Sequence, residues 1–461
     1  MNRTPDHNRL DFHIPEEVFR KCVHCGLCTS ACPTYQELGD ENDSPRGRIY
    51  LLRLIQEGTL APQGAAARHL DLCLDCRACE SACPSGVHYS RLIEPFRLEV
   101  ASRKRRRLSG FDWFREIILL RVFPYPNRIR TALAPWRWLQ HFHFDGWLER
   151  IGALRLLPSR LAAMTTLAGP PTPGGPRLPK FLPAKGRRRA RVAFFVGCVA
   201  DAMFRHVHWA TLRVLQENGC DVVIPRDQVC CGAIHMHAGD SRGARRMADQ
   251  NIAAFLLDEI DAVVVNHAGC GAMLKEYPVY WVDGLRDARA RFSSKVRDIN
   301  EFLFDLGMTP PASLELSVAY HDACHLAHAQ GVRTAPRALV GQIPGIRLVP
   351  LPESDMCCGS AGTYNLLQPE MANRLVERKV DNILNTGAPI VLASNAGCML
   401  QIARELRRRN APVAVLHPME LLDWSYTGTV PHEVYRVFGR PEKLFRQQTP
   451  STPLSIGAEK K

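Results

Sequence analysis

Residues 22–33 read Cys22-Val-His-Cys25-Gly-Leu-Cys28-Thr-Ser-Ala-Cys32-Pro33, and residues 73–84 repeat that spacing as Cys73-Leu-Asp-Cys76-Arg-Ala-Cys79-Glu-Ser-Ala-Cys83-Pro84. Both are Cys-x2-Cys-x2-Cys-x3-Cys-Pro. The short spacing wraps three thiolates around one face of a compact metal body. The proline, with its fixed φ and missing N–H, then stops the local turn and sends the chain onward. A four-cysteine zinc site usually pairs two Cys-x2-Cys knuckles at a distance and lacks the third cysteine and the proline. Iron and sulfide fit the pattern better than zinc.

The doubled run resembles that of bacterial two-cluster ferredoxins, in which the fourth cysteine of each run ligates the other cluster. The resemblance implies two [4Fe–4S] clusters. One takes Cys22, Cys25, Cys28 and Cys83; the other takes Cys73, Cys76, Cys79 and Cys32. Cross-ligation brings the clusters close, as an electron relay requires. Between the runs, Ser44 is an expected helix N-cap and Pro45 suits the first helical position. Ile49, Leu51, Leu52, Leu54 and Ile55 follow before Gly58. A helix there predicts an all-helical ferredoxin domain rather than a β-hairpin one. Arg46 and Arg48 on it either offset cluster charge or sit solvated.

The rest of the composition agrees with a reduced metalloprotein. The chain has 461 residues, 17 cysteines and 46% hydrophobic residues. Its first 13 residues are polar, so no secretory signal is visible and a reducing cytoplasm is the expectation. No run of about 18 apolar residues exists, so no spanning segment is expected. The net charge of +13 is uneven. Residues 101–191 hold 20 Lys and Arg against 4 Asp and Glu, a net of +16, which leaves −3 for the remainder.

The second half of the chain is an internal repeat. Cys198 matches Cys324 at an offset of 126, Cys230-Cys231-Gly232 matches Cys357-Cys358-Gly359 at 127, and Ala268-Gly269-Cys270 matches Ala396-Gly397-Cys398 at 128. Apolar runs Val192–Val196, Asp261–Val265, Val318–Tyr320 and Ile390–Ala393 lead to these cysteines, and helical patterns lie between. Short buried strands alternating with helices predict a parallel sheet, with ligands beyond its carboxyl ends. The expected fold is therefore α plus α/β: a helical 2×[4Fe–4S] ferredoxin-type domain (1–98), a basic connector (99–190), two CCG-type α/β repeats (191–310 and 315–425), and a tail (426–461).

Each repeat has the order Cys, Cys-Cys-Gly, Cys. This resembles the cysteine-rich CCG domain of heterodisulfide reductase and its relatives. Together with the N-terminal runs, Pro45-Arg-Gly-Arg-Ile-Tyr50, Lys275-Glu-Tyr277 and Cys357-Cys-Gly-Ser-Ala-Gly-Thr-Tyr364, it resembles the iron–sulfur subunit of glycolate oxidase. That resemblance implies an electron-transfer subunit of a 2-hydroxy-acid oxidoreductase. Electrons would come from an FAD-containing, glycolate-oxidising partner in a hetero-oligomer and leave to a quinone. Lactate, glycerol-3-phosphate and heterodisulfide reductase-type complexes are the alternatives. The sequence departs from the family's fullest pattern at Met273 and Gln401, where a further cysteine is expected. Cys198, Cys230, Cys231, Cys270, Cys324, Cys357, Cys358 and Cys398 are thus candidates for further clusters, for a redox-active thiol site, or for buried reduced cysteines. His235, His237, His267, His321, Asp322, His325 and His328 stand near them as ligands, tuning groups or turn residues. Cys220 has no counterpart and reads as structural.

No GxGxxG follows a strand in a βαβ setting and no P-loop exists, so neither flavin nor NAD is expected on this chain. Substrate oxidation belongs to the partner, and no catalytic residue is assigned here. Arg103–Arg107 precede Phe111, Trp113, Phe114 and Ile117–Leu120, with Trp136, Trp138, Phe142, Phe144 and Trp147 beyond. This composition suits an anionic membrane surface on the cytoplasmic face, an acidic partner, or a solvated linker. No module for reading nucleic acid is present.

Overall fold

The computed structural model describes residues 14–106, 112–142, 144, 156, 158–170 and 174–446. The polar opening segment, Arg107, Phe111, Trp147, residues 171–173 of the connector and the tail from residue 447 lie outside the described residues.

Between residues 14 and 106 every regular element described is a helix. Ser44 caps helix Pro45–Gln56 as its sequence predicts, its hydroxyl accepting the Gly47 N–H at 3.0 Å. That helix turns Ile49, Leu52 and Ile55 inward at helical spacing. They meet Phe19, Leu70, Val87, Leu92, Ile93 and Phe96 in one core.

The rest is mixed helix and parallel sheet. The first sheet holds β1 (Phe181–Leu182), β2 (Ala190–Phe195), β3 (Cys220–Val223), β4 (Ala262–Val265) and β5 (Val296–Asp298), in the order β1-β3-β2-β4-β5. Its four later strands are parallel, and β1 is antiparallel to β3. The second sheet holds β6 (Leu316–His321), β7 (Ile346–Val349), β8 (Ile390–Ala393) and β9 (Ala414–Leu416), all parallel, in the order β7-β6-β8-β9. Omitting β1, the two orders are the same. In each sheet the chain steps outward on one side of the first strand and then crosses to the other. The carboxyl ends of β2 and β4, and of β6 and β8, are therefore switch points, where such sheets bind ligands.

The two sheets share a core. Val192, Phe194, Val222 and Val264 join Val318, Tyr320, Ile390 and Leu392 in one buried cluster. Helix Arg205–Glu217 packs on Pro418–Thr427, and Ile299–Leu306 packs on Thr334–Gly341. These pairings are reciprocal, each joining a helix after the first strand of one repeat to one after the last strand of the other. The connector is helical at Phe114–Val122, Pro126–His141 and Ser159–Ala168. It lies on the repeats through buried Phe114, Leu119 and Leu167, which meet Leu366. Among the described residues no helix is long and apolar enough to cross a membrane.

Candidate iron–sulfur sites

The N-terminal unit contains two small cysteine-lined cavities. One is lined by Cys22, Cys25, Cys28 and Cys83. The other is lined by Cys32, Cys73, Cys76 and Cys79. Each run thus gives three cysteines to one cavity and its fourth to the other. The local cause is backbone conformation. His24 and Gly26 in the first run, and Asp75 and Arg77 in the second, have positive φ of 53°, 83°, 55° and 61°. The chain curls at each of these positions and turns neighbouring cysteines inward.

The donor set fits iron–sulfur clusters. The Asp75 N–H points at Cys73 Sγ (3.3 Å) and the Val87 N–H at Cys83 Sγ (3.4 Å). Such donors to sulfur help to set a cluster's potential. Burial pushes the Cys28 thiol up to about 11, and pushes Cys76 and Cys79 well above their usual value. These are neutral thiols until a metal displaces the proton. The two cavities differ in access. Cys25 is exposed and is flanked by exposed Val23 and Leu27, whereas Cys32, Cys73 and Cys76 are buried.

Arg46 and Arg48 separate in role. Arg46 is half exposed and pairs with Glu41 at 2.6 Å. Arg48 is buried, donating to the His69 carbonyl (2.7 Å) and Asp43 (3.3 Å) and reaching Cys32 Sγ at 3.8 Å. Burial works against its charge, but Cys73, Tyr89, Cys32 and Asp43 more than offset this and hold its proton above the usual value.

The repeat cysteines form two matching chains of thiols. In the first repeat Cys198 Sγ donates to Cys230 Sγ at 3.2 Å, and Cys231 interacts with both Cys230 and Cys270. In the second, Cys324 interacts with Cys357, Cys357 with Cys358, and Cys358 with Cys398, all four being free thiols. Both chains lie just beyond the carboxyl ends of the strands. The glycine of each Cys-Cys-Gly is required by packing: Gly232 and Gly359 have φ of 91° and 83°, and a Cβ would meet the Ala244 and Ala372 carbonyls at 3.1 and 2.6 Å.

The positions lacking a cysteine are filled differently. Met273 joins the hydrophobic core of the first repeat. Gln401 accepts from Asn365 (3.0 Å) and donates to the Ala372 carbonyl (3.4 Å). Cys220 is fully buried at the start of β3 and belongs to the shared core.

The histidines also divide. His325 Nδ1 lies 3.6 Å from Cys324 Sγ, at the start of a π-helical turn over His325–Ala329. His237 faces His325 across 6.3 Å, and buried Asp75 acts on both. His235 lies 4.0 Å from Asp240, and His328 lies 3.0 Å from Ser81. His267 packs among Phe204, His208 and His417. Asp322 forms a two-pronged pair with Arg337 at 2.5 and 2.6 Å. His321 is different: a ring nitrogen lies within 4.8 Å of both Cys358 Sγ and Cys398 Sγ.

The N-terminal unit meets the repeats at a buried junction that the cysteine spacing did not reveal. Cys76 shares a buried cluster with Leu74, Cys324, Cys357 and Tyr364. Beside it Arg77 pairs with Glu94 (3.0 Å) and with Glu276. One signal was available in sequence: Arg77 stands where the first run has Gly26.

Thiol-lined cavities in a helical unit, joined to parallel sheets with cysteines at their switch points, define an iron–sulfur electron-transfer protein. Family models agree with these parts. A 4Fe-4S dicluster domain matches residues 18–87, a cysteine-rich domain matches 192–275 and 318–403, and the linker region of the glycolate oxidase iron–sulfur subunit matches 112–168. The probable glycolate oxidase iron–sulfur subunit of Bacillus subtilis (strain 168) is 37% identical over 426 residues, covering 90% of this chain and 96% of its own length. The glycolate oxidase iron–sulfur subunit of Escherichia coli (strain K12) is 33% identical over 423 residues, covering 88% and 94%. Lactate utilization protein A of Exiguobacterium sp. is 30% identical over 236 residues, covering 50% and 96%. The chain belongs to the family of glycolate oxidase iron–sulfur subunits.

Proposed function

We propose that this chain carries electrons from a glycolate-oxidising flavoprotein subunit, which holds FAD, towards a quinone. We assign one [4Fe–4S] cluster to Cys22, Cys25, Cys28 and Cys83 and another to Cys32, Cys73, Cys76 and Cys79, within an all-helical domain. A duplicated CCG domain carries further clusters on Cys198, Cys230, Cys231 and Cys270 and on Cys324, Cys357, Cys358 and Cys398. Clusters held there supply one-electron transfer.

The gradation of burial carries this reading. The first N-terminal cavity is exposed at Cys25, the second is lined by buried Cys32, Cys73 and Cys76, and Cys76 packs with Cys324 and Cys357 of the second repeat. That order supports entry at the exposed site and passage inward to the repeats. A cavity of about 640 Å³, lined by Cys73, Arg97, Leu119, His237 and Tyr364 among others, supports a quinone acceptor at the same junction. The basic connector, with Trp113 and Trp138 exposed, is the surface for the partner subunit or for the cytoplasmic face of a membrane.

Anaerobically reconstituted protein is expected to hold about eight irons on the N-terminal unit, with further iron on the repeats. Cys25→Ser should lose part of the first complement. Glycolate should reduce the preparation only after the flavoprotein is added, and quinone should reoxidise it, with or without membranes. Zinc in place of iron, or an unchanged iron content in Cys25→Ser, would sink the assignment. The lactate reading is favoured by the half-length match to lactate utilization protein A; reduction by lactate and not glycolate would establish it.

A further inference from the structure

The two repeats share a fold and a cysteine order, but their thiols have different neighbours. At the end of the first strand the second repeat has His321 where the first has Phe195, at the same offset of 126 that relates Cys324 to Cys198. Phe195 stacks on Phe255 and carries no donor atom. His321 is fully buried, and neither ring nitrogen has a hydrogen-bond partner. Its ring lies near the Ser354 carbonyl, which accepts the Asp322 N–H at 3.0 Å. A buried imidazole left without a partner is costly. What it does face is sulfur, since one of its ring nitrogens and the thiols of Cys358 and Cys398 all lie within 4.8 Å of one another.

A second difference points the same way. Gly359 packs on Ala372 as Gly232 packs on Ala244, which aligns Lys379 with Asn251. Asn251 is satisfied by Cys230 O, Tyr277 and the Val229 N–H. Lys379 is 1% exposed, and its ammonium reaches only the Glu353 carbonyl. Burial pushes this ammonium below its usual range, and Cys358 and Cys357, ahead of Glu353 and Asp355, work the other way. A buried cation without a carboxylate partner calls for another source of negative charge. An anionic metal–thiolate centre supplies one. The position where the family pattern has a further cysteine is closed, because Gln401 is bonded to Asn365 and Ala372.

We propose that the second repeat binds its iron–sulfur cluster through a mixed sulfur and nitrogen donor set, with the His321 imidazole joining the Cys324, Cys357, Cys358 and Cys398 thiolates, while the first repeat offers thiolates alone. Imidazole is an accepted iron ligand, and replacing thiolate by neutral imidazole raises a cluster's potential. The two repeats are therefore unequal sites, the second carrying a neutral nitrogen donor that the first lacks. This inference rests on the reading that the repeats hold clusters.

The test uses the full chain, ¹⁵N-labelled in histidine and reconstituted anaerobically, with iron counting and pulsed EPR. The wild type should hold iron beyond the about eight of the N-terminal unit. It should show a strongly coupled histidine nitrogen that disappears in His321→Ala and persists in His325→Ala. Cys398→Ser should lose the second repeat's share of iron. His321→Cys should keep that iron, lose the nitrogen coupling and shift the midpoint potential downward, and it also serves if the alanine variant fails to fold. Iron lost in Cys398→Ser alongside a wild-type spectrum with no histidine coupling, or with one that survives in His321→Ala, overturns the His321 assignment and leaves the cluster reading standing. An iron content that stays at the N-terminal complement, unchanged in Cys398→Ser, overturns both.

Discussion

Arg48 shows how one side chain turns a helix surface into part of a redox site. Its position on Pro45–Gln56 directs it inward, where Asp43 and the His69 carbonyl hold the guanidinium 3.8 Å from Cys32 Sγ. A fixed buried cation stabilises the more negative, reduced state of a nearby centre. Arg48→Met should lower the midpoint potential of the Cys32–Cys73–Cys76–Cys79 site and leave the Cys22 site near its original value. Arg48→Lys should retain most of the potential. Removing the cation leaves buried Asp43 with the His69 ring at 3.0 Å as its remaining side-chain partner, so a stability loss of about 3 kcal/mol is expected as well. Redox titration followed by EPR separates the two sites, and an unchanged potential in Arg48→Met would refute the electrostatic role. The sequence raised this question without answering it. Spacing alone singled out the cysteines as candidate ligands, because three thiols within seven residues have few other uses. Whether Arg46 or Arg48 faces a cluster depends on which side of the helix is buried, and that is decided by Leu70, Leu92 and Phe96 from distant segments.

Among the elements, those ending at cysteines were the most legible. Val192–Val196 and Ile390–Ala393 are apolar throughout because their strands are covered on both faces. The shorter β5 and β9, three residues each, carry too little pattern to be read, and the exposed edge strand β7 alternates weakly. His321 was visible as a residue near cysteine. Its distinct position emerged only when β6 was aligned on β2. A capping box at the start of Pro418–Thr427 gives the element scale its own prediction. Glu420 accepts the His417 N–H at 2.9 Å and lies 3.5 Å from His206. Burial pushes its carboxyl up to about 8, against a bond from the His417 backbone that lowers it, and burial holds His206 down to about 4. The folded state therefore keeps a proton on Glu420 that the unfolded chain releases near 4.5. Glu420's own contribution to stability therefore falls as pH rises from about 4.5 to about 8, while that of His206, which the unfolded chain keeps protonated to about 6.5, rises between about 4 and about 6.5. Glu420→Gln should flatten that part of the profile. Anaerobic melting midpoints at about pH 5 and about pH 8 check it, and a slope unchanged by the substitution would exclude Glu420 as its source.

At the scale of the whole molecule, the proposed relay depends on how the N-terminal unit is fastened to the repeats. Arg77 is the fastening. Its backbone sits at φ 61°, where the first run uses glycine, and its side chain is 5% exposed. It ties Glu94 of the N-terminal unit to Glu276 of the first repeat, with Tyr280 donating to both carboxylates at 3.1 and 2.9 Å. The neighbouring Asp75 carboxylate is buried and makes no hydrogen bond of its own, so Arg77 is also among the cations that keep it ionised despite burial. Arg77→Ala removes the pair while keeping the left-handed strain of a Cβ. Arg77→Gly removes the same pair but relieves that strain, about 1–2 kcal/mol for a non-glycine residue. The expected order of stability is wild type, then Arg77→Gly, then Arg77→Ala, with Glu276 partly solvated and the loss from the pair itself correspondingly reduced. Because the same joint holds Cys76 against Cys324 and Cys357, both variants should keep their iron yet pass electrons to the second repeat more slowly. Rapid mixing with a one-electron reductant, followed by freeze-quench EPR, reads that step directly. If Arg77→Ala transferred electrons at the wild-type rate with full iron content, the joint would be a matter of stability alone and the relay would run by another contact.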